Sequence, residues 1–275
     1  MGRVLIVAGS DSGGGAGIQA DVKAVTALGG YAATAVTALT AQNTLGVLGI
    51  EEVAPEFVAL QMEAVLTDIG ADAIKTGMLG TARIVKMVAG TCQALAPSVP
   101  IVVDPVMVAK GGARLLEPDA EAALVRELLP KAALLTPNVP EAEALSGERI
   151  TDVASLERVA SKLLLFGPAA VLLKGGHLAG DTVVDCLVTA DGAAHRFESP
   201  RLVTRSTHGT GCTLASAIAT GIAEGLTLYD SVARARAYVF EAIRTAPGLG
   251  QGHGPLNHAH PLLGKAKENG ARHVH

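Results

Sequence analysis

Short runs of β-branched and aliphatic residues recur along the chain, and each is followed by a longer stretch whose apolar residues repeat every three or four positions. The runs predict strands from Val4 to Val7, Ala33 to Leu39, Ala73 to Lys75, Ile101 to Val103, Leu134 to Thr136 and Val171 to Lys174. Several are apolar at every position, as expected where helices cover both faces of a sheet. Between them, Ile18, Val22, Val25 and Leu28 share one helical face. The same spacing predicts helices from Pro55 to Thr67, Thr81 to Leu95, Pro118 to Leu129 and Ser155 to Phe166. Thr182 to Val188 and His195 to Phe197 read as an antiparallel pair across the turn Ala190-Asp-Gly192, followed by helices from Thr210 to Glu224 and Leu228 to Thr245. Strands alternating with helices predict an α/β fold with a mostly parallel sheet. No linker or internal repeat divides it, so residues 1–265 read as one domain and 266–275 as a tail.

The unusual residues follow the strands. Gly9-Ser-Asp-Ser-Gly-Gly-Gly-Ala-Gly17 comes after the first, Ala41-Gln-Asn43 after the second and Thr76-Gly-Met78 after the third. Asp104-Pro-Val106, Pro137-Asn-Val-Pro-Glu141 and Lys174-Gly-Gly-His177 end the next three. In open α/β sheets ligands bind at the carboxyl ends of the strands, so these loops point to one composite site.

Composition narrows the chemistry. With 275 residues, 49% hydrophobic and 17% charged, the chain can bury a large core. A net charge of −4 and a 3% aromatic content provide neither a basic footprint nor a stacking platform, which argues against nucleic acid. Three cysteines without a C-x-x-C spacing suggest neither a disulfide framework nor a zinc site and suit a reducing cytoplasm. No apolar run reaches membrane-spanning length, so no membrane partner is expected.

Within Ser206-Thr-His-Gly-Thr-Gly-Cys-Thr213, Gly209 and Gly211 permit a sharp turn into a helix start, where unpaired amides and the helix dipole favour an anion. The same field would favour a thiolate at Cys212. A glycine-containing helix cap explains the stretch equally. The loop after the first strand fits neither G-x-G-x-x-G nor G-x-x-x-x-G-K-[ST] and also reads as a plain turn. Asp104 at a strand end suits a hydrated Mg2+, with Glu141 as a second contributor through water, although Glu141 also reads as a helix-start acid. Lys174 can reach a phosphate or simply extend to solvent. His253, His258 and His260 could hold a metal, but the Gly and Pro around them fit a surface cap. An anion hole, an acid pair and a strand-end lysine together suggest an ATP-dependent small-molecule kinase.

The runs Ala8-Gly-Ser-Asp-Ser-Gly-Gly-Gly-Ala-Gly-Ile-Gln-Ala-Asp21, Thr37-Ala-Leu-Thr-Ala-Gln-Asn-Thr44, Lys75-Thr-Gly-Met-Leu79, Asp104-Pro-Val-Met-Val-Ala-Lys110, Leu135-Thr-Pro-Asn-x-x-Glu141, Leu173-Lys-Gly-Gly-His177, His208-Gly-Thr-Gly-Cys-Thr213 and Gly252-His-Gly-Pro-Leu-Asn-His258 span nearly the whole chain. In that order they closely resemble the hydroxymethylpyrimidine/phosphomethylpyrimidine kinases of thiamine biosynthesis, members of the ribokinase-like superfamily. The resemblance implies a three-layer α/β/α fold. It also implies phosphorylation of 4-amino-5-hydroxymethyl-2-methylpyrimidine, and then of its monophosphate, by ATP and Mg2+. By matching position, Gln42 would bond the aminopyrimidine edge, with Gly9, Ala16, Asp21, Met78 and Val106 lining the pocket. Asp104 and Glu141 would serve the metal, and Lys174, Thr207, Thr210 and Gly211 the nucleotide phosphates. Cys212 would be the base, with amides from Gly209 onward holding the transferring group. Relatives of this fold often form homodimers. A pyridoxal or pyridoxine kinase of the same fold is the nearest alternative; a non-catalytic sensor and a sugar kinase are others.

Overall fold

A computed structural model describes residues 1–109 and 112–262. Lys110, the last residue of the run that begins at Asp104, and the tail with His273 and His275 lie outside the described residues, as does the expected domain boundary at 265. Nine strands form one sheet in the order β3-β2-β1-β4-β5-β6-β7-β8-β9. Strands β1 (Arg3–Asp11), β2 (Tyr31–Gln42), β4 (Ala73–Thr76), β5 (Ile101–Val103), β6 (Ala132–Leu135) and β7 (Ala170–Leu173) run parallel. The edge strand β3 (Val47–Glu52) and the hairpin of β8 (Thr182–Thr189) and β9 (Ala194–Pro200) are antiparallel.

The unbroken apolar runs are explained by two cores. Leu5, Val7, Ile74, Ile101, Val103, Leu135, Val171 and Leu173 face one core. Their alternates Val4, Ile6, Ala8, Ala73, Val102, Leu134, Ala170 and Leu172 face the other. Period two is preserved, but both faces are buried. The first core takes in residues of α2 (Pro55–Asp68), α3 (Ala82–Leu95), α4 (Pro118–Ala123), α5 (Val139–Ser146) and α6 (Val153–Leu163). The second takes in α1 (Gly17–Ala27), α7 (Thr210–Ala223) and α8 (Leu228–Arg244). This is the expected three-layer α/β/α arrangement.

Three elements depart from the sequence pattern. Strand β3 is almost entirely exposed and so carries no apolar alternation. Helix α5 was not among the expected helices, although Glu141 also read as a helix-start acid; Asn138 and Glu141 cap it reciprocally, each side chain accepting from the other's backbone N–H. The helix expected from Pro118 to Leu129 is α-helical only to Ala123, and a π turn and a 3-10 turn carry it to Lys131. Among the described residues no helix is long and apolar enough to cross a membrane.

Candidate active site

Two adjoining cavities open at the carboxyl ends of the parallel strands. The first, about 430 Å³, is walled by the loop after β1, the end of β2, the segments after β4 and β5, the start of α5 and the start of α7. The second, about 330 Å³, lies between the β8–β9 hairpin and α7 and α8. Asn138, Lys174, His177, Thr210 and Gly211 line both.

The first cavity brings together Gly9, Ala16, Gln42, Met78, Val106, Asp104, Glu141, Lys174, Gly209, Thr210, Gly211 and Cys212. Thr207 lines the second. Asp21, expected on the pocket wall, is not among the lining residues. It is fully buried on α1 behind the wall, where it accepts from Lys75 Nζ at 2.9 and 3.0 Å and from Ser216 Oγ at 2.7 Å. Its helix faces α7, which turns the carboxylate toward Ser216 and away from the ligand space.

Backbone geometry explains the glycines. Gly209 caps α7 in the left-handed region (φ +77°), and a Cβ there would collide with the carbonyl of Gly15, so the two glycine loops are in direct contact. A Cβ on Gly211 would lie 3.1 Å from Lys174 Nζ and 3.6 Å from Asp104 Oδ2. No side chain caps α7, which leaves its first amides for an anion.

The charges form two clusters. Lys174 Nζ donates to Asp104 Oδ1 at 3.1 Å, and Thr136 Oγ1 lies 3.4 Å from the same oxygen. Glu141 is pushed up to about 7 by burial, with Lys174 opposing and Asp104 adding to the shift. In the second cluster, burial opposes the charge on Lys75, but Asp21, Cys212 and Asp104 overcome it and hold the ammonium above its ordinary range.

Cys212 differs from its sequence expectation. It lies in the first turn of α7, where Lys75 and the Gly17 amide favour its thiolate. Burial outweighs both, with Asp21 and Asp104 adding repulsion, and pushes the thiol up to about 12 although the residue keeps some solvent contact. The helix start alone does not make a thiolate here.

Sequence patterns did not single out the clasp between the loops. Asp11 accepts from the amides of Gly13, Gly15 and Ala16 and pairs with His208 Nε2 at 2.8 Å. Burial opposes the Asp11 charge, but these partners hold it below its usual range. The only available signal was an acid inside one glycine loop and a histidine inside the other. The C-terminal histidines pack: His258 Nε2 lies 2.9 Å from Thr213 Oγ1 and His260 Nε2 lies 3.1 Å from the carbonyl of Tyr238. Among the described residues no cluster of three or more metal-ligating side chains forms.

The phosphomethylpyrimidine kinase family model matches residues 11–257. The thiamine biosynthesis bifunctional protein ThiED of Geobacter sulfurreducens is 55% identical over 94% of this chain, which spans about half of that relative (52%). The hydroxymethylpyrimidine/phosphomethylpyrimidine kinase of Rhizobium meliloti is 47% identical over 93% of this chain and 96% of its own. A solved phosphomethylpyrimidine kinase from Clostridium difficile 630 superimposes with a TM-score of 0.78 at 40% identity, covering 88% of this chain and 100% of that one. The pyridoxal kinase of Staphylococcus aureus with AMP-PCP and pyridoxal gives 0.85 at 32% identity, covering 94% of both.

Proposed function

The chain belongs to the phosphomethylpyrimidine kinase family, and from that premise we propose that it transfers the terminal phosphoryl group of ATP to hydroxymethylpyrimidine and then to its monophosphate. The observation that carries this reading is the pair of cavities meeting at Lys174 and the start of α7. An alcohol in the first cavity and a nucleotide in the second would meet there.

In this reading Gln42 bonds the aminopyrimidine edge, its amide offering both a donor and an acceptor. Gly9, Ala16, Met78 and Val106 pack against the ring. Asp21 serves the pocket from behind, through Lys75. Lys174, Thr207, Thr210 and Gly211 hold the nucleotide phosphates, and the first amides of α7 receive the transferring group. The substrate O–H bond breaks, its proton passes to the Cys212 sulfur, the oxygen bonds to the terminal phosphorus and the bond to ADP breaks. Cys212 accepts that proton only as a thiolate, so the cations facing it must offset the burial that otherwise keeps the thiol neutral.

Asp104 and Glu141 fit Mg2+: both are buried oxygen donors at the cavity wall, and Glu141 is raised by burial that a cation would relieve. When bound, the ion would neutralise charge on the phosphates. A homodimer belongs to the same reading and is supported by exposed Leu48 and Ile50 on the edge strand β3, as does action in the cytoplasm.

The test is ATP- and Mg2+-dependent turnover of hydroxymethylpyrimidine, its monophosphate and pyridoxal, measured side by side. Phosphorylation of both pyrimidines to the diphosphate is expected. Turnover of pyridoxal alone would replace the substrate while keeping the nucleotide side.

A further inference from the structure

A lysine sits in the middle of a strand whose every residue is buried, and the reaction described above gives it no contact with the substrate. Lys75 on β4 is among the largest fully buried side chains of the protein, yet it belongs to the wall of the first cavity. Its surroundings are built around the charge. Asp21 binds it with both carboxylate oxygens, and Ser216 Oγ donates to Asp21 Oδ1. A Cβ on Gly77 would lie 2.9 Å from Nζ, so glycine leaves the space the ammonium fills.

The hydrogen-bonded counter-charge is on one side. Asp21 and Ser216 do not line the cavity, whereas Lys75, Gly77 and Cys212 do. An ammonium has three N–H donors, and among the described residues the Lys75 ammonium hydrogen-bonds to the Asp21 carboxylate alone. Cys212, on α7 one helical turn before Ser216, lines the same cavity as Lys75. Buried ion pairs seldom stabilise a fold better than apolar residues of similar size, so a structural role alone is a weak reason for a lysine in an apolar strand.

Resting on the kinase reading above, we infer that Lys75 is a catalytic residue whose ammonium donates into the cavity to the substrate's alcohol oxygen and stabilises the negative charge that builds there as the proton leaves. Asp21 and Ser216 are positioning residues that hold the ammonium from behind. The proton still passes to Cys212, and the oxygen still bonds to the terminal phosphorus as ADP leaves. Such a donor strengthens its contact only as charge develops, so its loss falls on kcat rather than on substrate binding.

The experiment compares Lys75→Met, the double variant Lys75→Met/Asp21→Asn and Lys75→Gln, each assayed for kcat, KM and thermal midpoint. The single Met variant leaves a bare buried carboxylate and is expected to be unstable. The double variant removes both charges and should regain most of the midpoint, yet kcat should stay roughly 100-fold low with KM for the alcohol within about threefold. Lys75→Gln serves where the Met variants do not fold, with an expected kcat loss of at least about tenfold. Recovery of kcat together with stability in the double variant, a raised KM with kcat intact, or wild-type kcat in Lys75→Gln would overturn the assignment. Wild-type turnover is measured first and the variants on whichever alcohol it phosphorylates, so a wrong substrate and a wrong role for Lys75 give different results.

Discussion

Two lysine–aspartate pairs flank the same cavity and differ in what surrounds them. In the Lys75–Asp21 pair both side chains are 0% exposed, and Asp21 is locked by Ser216. In the Lys174–Asp104 pair the lysine is 14% exposed and stands where the two cavities meet, at a single 3.1 Å contact. Chemistry is the same and solvent access is not. A closed pair keeps its partner and can offer the cavity only the N–H that partner leaves over, whereas an open pair can exchange its partner for a ligand phosphate.

The largest expected contrast is in stability. Lys75→Met strands a fully buried carboxylate and should cost about 3–5 kcal/mol in urea unfolding. Lys174→Met should cost about 1–2 kcal/mol, because Asp104 at the cavity wall can be hydrated. Similar losses for the two would erase the distinction between closed and open.

A smaller effect isolates burial itself, the property that separates the pairs. Burial pushes the thiols of Cys92 and Cys186 up to about 12 from an ordinary value of 9.0. Above pH 9 the unfolded chain releases those protons while the folded chain keeps them, so rising pH favours unfolding. Each thiol adds a slope of at most about 1.4 kcal/mol per pH unit between pH 9 and 12. The Cys92→Ala/Cys186→Ala variant should therefore show a shallower alkaline loss of stability than wild type in denaturant titrations at pH 8 to 10. Equal slopes would mean that these sites do not resist ionisation.

Much of the fold was legible because both sheet faces are buried, which turns β1, β5 and β7 into unbroken apolar runs that few other structures produce. The pattern fails where burial is absent, as in β3, whose Gly49, Glu51 and Glu52 face solvent. It also misses α5, whose eight residues carry less periodicity than their cap, although Asn138-x-x-Glu141 was a usable capping signal. Within the site, residues that end strands were easy to place, because topology carries them to one edge. What local sequence does not encode is desolvation. The helix start at Cys212 was visible, but the buried carboxylates that oppose its ionisation arrive from α1 and from the end of β5. Asp21 was placed on the wall by the resemblance alone, and the packing of α1 on α7 sets it behind Lys75.

Calorimetric binding of AMP-PCP to wild type, Lys174→Met and Lys75→Met/Asp21→Asn tests the division of labour most directly. An open pair that serves the phosphates predicts roughly 10- to 100-fold weaker binding in Lys174→Met, the worth of one hydrogen bond to a charged group, and binding within about twofold of wild type in the double variant. Unchanged affinity in Lys174→Met, or a comparable loss when the closed pair is neutralised, would contradict it.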